Sequence, residues 1–144
     1  MKFRKATKRD VSQMVEIIRL NNPKYSGNSS KEINEMFSTS LFKPTFIVAE
    51  ENKRILAFNG YVSSWVDNNV YNLFWVNTHP NHIGNGIQTK LIKEIIKEIK
   101  KIKNPKAKII MISTKIPSFF KKFGFKKIGQ KYDRDYVLMA KGLR

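Results

Sequence analysis

Apolar residues recur along this chain with two periods, and the switches between them mark its elements. Phe3 to Ala6 reads as a short strand. Thr7 and Asp10 then stand as hydroxyl N-cap and carboxylate three positions on, the start signal of a helix. Val11, Met14, Val15, Ile17 and Ile18 follow at helical spacing as far as Asn21-Asn22-Pro23, where the proline disfavours helix in its predecessor. Ser29 and Glu32 repeat the start signal before Ile33, Met36 and Phe37, predicting a second, shorter helix. From Thr45 the texture changes. Phe46 to Val48, Ile55 to Val66 and Val70 to about Thr78 are rich in aromatic and β-branched residues, with turns at Glu51-Asn52-Lys53-Arg54 and Asp67-Asn68-Asn69. Together they predict an antiparallel meander.

The clearest helix is Thr89 to Lys103, where Leu91, Ile92, Ile95, Ile96, Ile99 and Ile102 form one stripe and lysines fill the other faces. It ends before Asn104-Pro105. Lys108 to Ile112 reads as a buried strand, Ser118 to Phe123 as a short helix closed by Gly124, and Phe125 to Ala140 as a hairpin. No repeat, linker or low-complexity stretch interrupts the run, so residues 1–144 are expected to form one domain.

Composition sharpens this picture mainly through charge. Twenty-eight Lys+Arg stand against 11 Asp+Glu, a net +17, yet 41% of the 144 residues are hydrophobic and 12% aromatic. A disordered basic tail lacks such a core, so the charge is expected on a folded surface. Lysines gather from Lys90 to Lys108 and again at Lys121, Lys122, Lys126, Lys127 and Lys131. On a helix this is what a solvated face carries, and no RNA-binding motif accompanies it. There is no cysteine. That removes disulfides, thiolate zinc sites and any acyl-enzyme on a protein thiol. The first ten residues hold no apolar run of signal-peptide length and no stretch anywhere reaches membrane-span length, so the expected setting is the cytoplasm without membrane contact.

The segment with chemical content is His79-Pro80-Asn81-His82-Ile83-Gly84-Asn85-Gly86-Ile87-Gln88, between a strand and the long helix. Two glycines there let the backbone approach a ligand, and the free N–H groups of a helix start favour phosphate. It is neither a dinucleotide fingerprint, since Thr89 stands three after Gly86, nor a Walker loop, since no Gly-Lys-Ser/Thr follows. His79 and His82 have no carboxylate nearby and Pro80 between them, so no metal is expected. Ser113 and Ser118 lie in no Gly-x-Ser-x-Gly elbow, which leaves a hydrolase unsupported.

The run Val76-x-x-x-Pro80-x-x-x-Gly84-x-Gly86-Ile87-x-Thr89-x-Leu91 resembles the acetyl-CoA-binding motif of the GNAT N-acetyltransferase superfamily. Phe119-Phe120-Lys121-Lys122-Phe123-Gly124-Phe125 is similar to that family's later element, and the order of elements matches over nearly the whole chain. The resemblance implies an α+β fold of α/β/α layering, with a mixed, centrally splayed sheet of six to seven strands and about four flanking helices. It implies acetyl-CoA as co-substrate, pantetheine beside the main chain of Val76, Asn77 and Thr78, and the diphosphate on N–H groups of Ile83, Gly84, Asn85, Gly86, Ile87, Gln88 and Thr89. The short helix, with Ser118, Phe119, Phe120 and Lys122, flanks the cofactor's other side. The implied reaction is direct attack of a primary amine on the thioester, with the oxyanion held by a main-chain N–H near Asn77 or Thr78.

Three departures bear on that reading. Ile83 stands where the family has Gln or Arg, and Gln88 where it has Gly or Ala, adding bulk at a close approach. Phe120 replaces the tyrosine that in many members protonates the leaving thiolate. A thiol pKa of roughly 8.5 makes an acid helpful but not indispensable, so slower chemistry is expected. Tyr132 and Tyr136 are the substitute acids, and Asp67, Asn72, His79 and Asp133 the candidate bases. The alternative is a non-catalytic module of the same fold that binds CoA or nucleic acid. A homodimer is compatible with the family, and a polyamine acceptor is disfavoured by the protein's field unless Glu32, Glu35, Asp67 or Asp133 gather at the acceptor mouth.

Overall fold

The computed structural model describes residues 1–25, 27–39 and 41–144. Among them are seven strands and four α-helices in the order β1 (Lys2–Lys5), α1 (Val11–Asn21), α2 (Ser29–Ser38), β2 (Thr45–Glu51), β3 (Arg54–Ser63), β4 (Val70–Thr78), α3 (Ile87–Lys100), β5 (Ile109–Thr114), α4 (Pro117–Lys121), β6 (Lys126–Asp133) and β7 (Tyr136–Gly142). The strands form one sheet ordered β1-β2-β3-β4-β5-β7-β6. All neighbours are antiparallel except β4 and β5, which run parallel. The fold is therefore α+β with a mixed sheet.

Alternation in β2 shows why its sequence reads as an unbroken apolar run. Phe46 and Val48 face the cluster built on α1 and α2, while Ile47 and Ala49 face the cluster built on α3. A central strand covered on both sides has no polar face to alternate with. The stripe Leu91, Ile92, Ile95 and Ile99 is buried on the α3 side, and Met14, Ile17 and Ile33 on the other. At three turns or so, neither layer would hold its helices without this burial.

Several boundaries differ from the sequence reading. β3 ends at Ser63 rather than Val66, because Ser64 turns back and its Oγ accepts the Val66 N–H at 3.0 Å, leaving Trp65 and Val66 outside the ladder and exposed. α2 is capped by Asn28, whose side chain accepts the Lys31 N–H at 3.1 Å, not by Ser29, which is buried. Glu32 instead accepts the Tyr25 hydroxyl at 2.9 and 2.8 Å. α3 begins two residues earlier than Thr89, and the last hairpin runs on to Gly142.

The start of α1 is fastened as its sequence suggested, through a 3-10 turn at Lys8–Asp10. The Asp10 carboxylate accepts the Thr7 N–H at 2.8 Å and both Arg4 guanidinium N–H groups at 2.8 and 2.9 Å, while Arg4 Nε reaches Glu50 at 2.9 Å. Hydrogen bonding to Arg4 holds the Asp10 pKa below the ordinary carboxylate range. A depressed folded-state pKa stabilises above the unfolded value near ~3.9, and the gain is lost as pH falls through the folded value. Asp10→Asn is thus expected to cost about 2 kcal/mol at pH 7, or about 6 °C in Tm. The gap between the thermal melts of the two proteins should narrow as pH falls below the ordinary carboxylate range; a gap that stays constant through acid titration would show that the carboxylate charge contributes nothing.

Candidate active site

The sheet comes apart at its parallel junction. β4 and β5 pair only over Val70↔Ile109, Tyr71↔Ile110 and Asn72↔Met111, after which β4 continues to Thr78 and β5 to Thr114 without meeting. The wedge between them holds a cavity of about 470 Å³, bounded by Leu73 to Asn77 on one side and Ile112 to Ile116 on the other. A second cavity of about 680 Å³ lies at the start of α3 and shares Val76, Asn77 and Ile116 with the first. One passage thus runs through the sheet, with β4 as its wall.

β4 is bulged at this wall. Phe74 opposes Gly60 and Asn77 opposes Phe58, so Trp75 and Val76 stand against the single residue Asn59, with Trp75 at φ 49°. The extra residue interrupts the ladder and frees main-chain polar groups there. Beyond the bulge, His79 N–H donates to the Leu56 carbonyl at 2.8 Å, which makes Ala57↔Thr78 a pair without mutual hydrogen bonds. Thr78 therefore turns its N–H and C=O to the open edge and Asn77 turns its own toward β3. The Thr78 carbonyl accepts Asn21 Nδ2 at 2.9 Å, and the same nitrogen donates to Asn77 Oδ1 at 3.0 Å.

The glycine segment forms the floor of the second cavity. Gly84 and Gly86 sit at φ 90° and 76°, in the left-handed region that disfavours a side chain, and a Cβ on either would meet nothing within 4 Å. Gly86 is the N-cap of α3, and the first intrahelical bond is Lys90 N–H to the Gly86 carbonyl at 3.2 Å. The N–H groups of Ile87, Gln88 and Thr89 precede that bond, so the first turn of α3 leaves them without an intrahelical acceptor. Such a run of uncommitted donors at a helix start fits a diphosphate. Lys122 lines the same cavity, its Nζ 4.7 Å from the Phe119 ring centre.

Gln88 lines this cavity, but its amide is engaged elsewhere. Its side chain turns into the sheet, where Nε2 donates to Asn59 Oδ1 and to the Asn77 carbonyl, both at 3.0 Å, and Oε1 accepts Asn59 Nδ2 at 3.1 Å. Asn59 has no exposure at all. The bulk that the sequence placed at the ligand instead ties the first turn of α3 to the bulge.

Of the other expected site residues, Ile83, Gly84, Gly86, Ile87, Thr89 and Phe119 line the second cavity with Val76, Asn77 and Thr78. Asn85 and Ser118 line neither cavity. Phe120 lines the first, buried against Phe119 and Phe125, and leaves an apolar ring there. Tyr136 lines the first cavity; Tyr132 is 60% exposed, and its hydroxyl contacts Ser113 Oγ. Asp67 accepts the Asn69 N–H at 2.8 Å at the closed end of the wedge, and His79 Nδ1 accepts the Asn81 N–H at 3.1 Å. Neither they nor Asn72 and Asp133 line the passage. Sequence reasoning missed Asn21, read only as a helix stop, and Tyr25, whose hydroxyl is held protonated by Glu32, with its pKa raised. Among the described residues no group of three His, Cys, Asp or Glu could hold a metal. No helix among them is long and apolar enough to cross a membrane.

A mixed sheet splayed beside the open start of a helix can receive an extended ligand that carries an anionic group. The chain belongs to the acetyltransferase (GNAT) domain family, whose model matches residues 43–127, and it is an acyltransferase of the N-acetyltransferase type. Solved structures agree in fold. An aminoglycoside 6'-N-acetyltransferase complexed with coenzyme A superposes with a TM-score of 0.80 at 17% identity, covering 99% of this chain and 97% of that one. A ribosomal-protein-alanine N-acetyltransferase from Brucella melitensis gives 0.79 at 17%, covering 99% and 100%. The PaiA N-acetyltransferase from Thermoplasma acidophilum, in complex with coenzyme A, gives 0.76 at 18%, covering 99% and 98%. A comparison with curated protein sequences gave no match.

Proposed function

We propose that this protein uses acetyl-CoA to acetylate a primary amine of a small molecule or protein by direct attack, with no covalent enzyme intermediate. The observation that carries the reading is the start of α3, where the N–H groups of Ile87, Gln88 and Thr89 have no intrahelical acceptor and stand at a cavity that shares Val76, Asn77 and Ile116 with the wedge. Acetyl-CoA supplies a thioester whose acyl carbon takes the amine nitrogen as the C–S bond gives way, yielding an amide and the free thiol. The chain's part is to place and polarise. Main-chain donors freed at the Val76 bulge and on the open edge at Thr78 are positioned to receive a carbonyl oxygen as charge develops on it. Asn77, whose carbonyl is taken by Gln88, helps set that wall.

Proton traffic runs largely to solvent. Phe120 can give no proton, and the phenols that line the cavity are Tyr25, committed to Glu32, and Tyr136, which is the residue best placed to serve the leaving thiolate. None of the nominated bases lines the passage, so the amine sheds its proton to water. The test is a thermal melt with and without acetyl-CoA, paired with thiol release in the presence of amines. At a ligand concentration ~100 times Kd the stabilisation is about 2.7 kcal/mol, a rise of about 8 °C. A melt unchanged in millimolar acetyl-CoA would sink the reading.

A further inference from the structure

We propose that the acceptor is a small amine with an apolar or aromatic body that carries one anionic group, and that it binds in the wedge cavity with that group toward Lys115. This rests on the N-acetyltransfer reading and deepens it. The cavity wall is built from Ile18, Leu73, Phe74, Trp75, Ile112 and Tyr136, and its volume of about 470 Å³ suits a ligand of amino-acid to dipeptide size. Lys115 is its one charged lining residue, and among the described residues no carboxylate lines it.

The acids of the chain are engaged or placed elsewhere. Asp10 and Glu50 hold Arg4, Glu98 pairs with Lys101, and Asp67 caps its own turn. Glu32 stands behind the lining residue Tyr25, whose hydroxyl is directed at both its oxygens, and Asp133 and Asp135 flank the lining residue Tyr136 in the last hairpin turn without lining the cavity themselves. A polycationic amine would therefore bring each extra ammonium into a cavity with nothing to pair it, inside a protein of net +17. An amine bearing a carboxylate meets the opposite situation. Its apolar body covers Phe74 and Trp75, and its anion finds the exposed end of Lys115.

Three probes separate these cases: phenylalanine, 2-phenylethylamine and spermidine, each assayed for thiol release from acetyl-CoA and for binding to the coenzyme A-saturated protein by calorimetry. Expected kcat/KM falls in that order, with at least a tenfold span. Lys115→Ala should raise KM for phenylalanine about fivefold and leave 2-phenylethylamine within twofold, and Lys115→Glu should bring spermidine level with phenylalanine. Because Lys115 is exposed, melting temperatures of both variants should match wild type. Preferred turnover or binding of spermidine by the wild-type protein overturns the proposal, as does failure of both aromatic amines to bind. If acetyl-CoA still raises the melting temperature in that case, N-acetyltransfer survives and only the acceptor class falls; loss of both sinks the parent reading.

Discussion

Replacing Gly86 with tryptophan is expected to abolish coenzyme A binding while leaving the chain folded. Gly86 sits at φ 76°, so any side chain there costs about 1–2 kcal/mol of backbone strain. That alone lowers the apo melting temperature by only roughly 3–6 °C. The ring has space to enter, because nothing lies within 4 Å of the Cβ position, and that space is the floor on which the Ile87 to Thr89 amides open. A bulky group there occupies the ligand's volume without touching the core. Calorimetric titration should show Kd for coenzyme A raised at least 100-fold. Gly86→Ala separates the two causes: strain is the same, occlusion is small, and affinity should fall by less than tenfold. If Gly86→Trp binds coenzyme A within a factor of three of wild type, the diphosphate lies elsewhere.

What the sequence made legible follows from how far apart the deciding residues stand. The α1 start needed only Thr7 and Asp10, and the Gly84-Asn85-Gly86 turn needed only itself, so both were visible in a few letters. The long stripe of α3 declared its own period, although its first turn did not: Gln88 reads as an unfavoured intrusion until Asn59, 29 positions earlier, is placed beside it. The wedge was expected from family resemblance, because splaying depends on β5 leaving β4 after three pairs and on β7 entering between β5 and β6, neither of which leaves a local pattern. Strand direction was equally hidden. Which of Val76, Asn77 and Thr78 turns its main chain to the gap depends on a bulge and on the His79 to Leu56 bond. The catalytic nominees suffered most. Asp67 and His79 are nominated by residue type alone, and each hydrogen bonds within its own turn, which is what short polar side chains in turns commonly do.

Gln88→Ala is expected to harm both stability and the site, in separable ways. Truncation removes both partners of the Asn59 amide, which stands on β3 opposite the β4 bulge and is fully buried. Leaving such a group unsatisfied costs about 2 kcal/mol, so Tm should fall by about 6 °C. Gln88 Nε2 also donates to the Asn77 carbonyl, and through it links the α3 cradle to the bulge that shapes the wedge wall. Releasing it loosens two ligand-facing segments at once, so KM for acetyl-CoA should rise about tenfold, with kcat changed less than threefold at saturation. A merely structural role would lower Tm without moving KM at a temperature where both proteins are folded. Gln88→Glu keeps one acceptor for Asn59 Nδ2 but loses the donor to Asn59 Oδ1 and Asn77, and should restore neither KM nor the full melting temperature. Asn59→Leu with Gln88→Met replaces the buried amides by apolar groups of similar shape, and is expected to recover most of the stability while KM stays high. Recovery of KM in that double variant would mean that packing at this junction, rather than the hydrogen bond to Asn77, holds the wall in place.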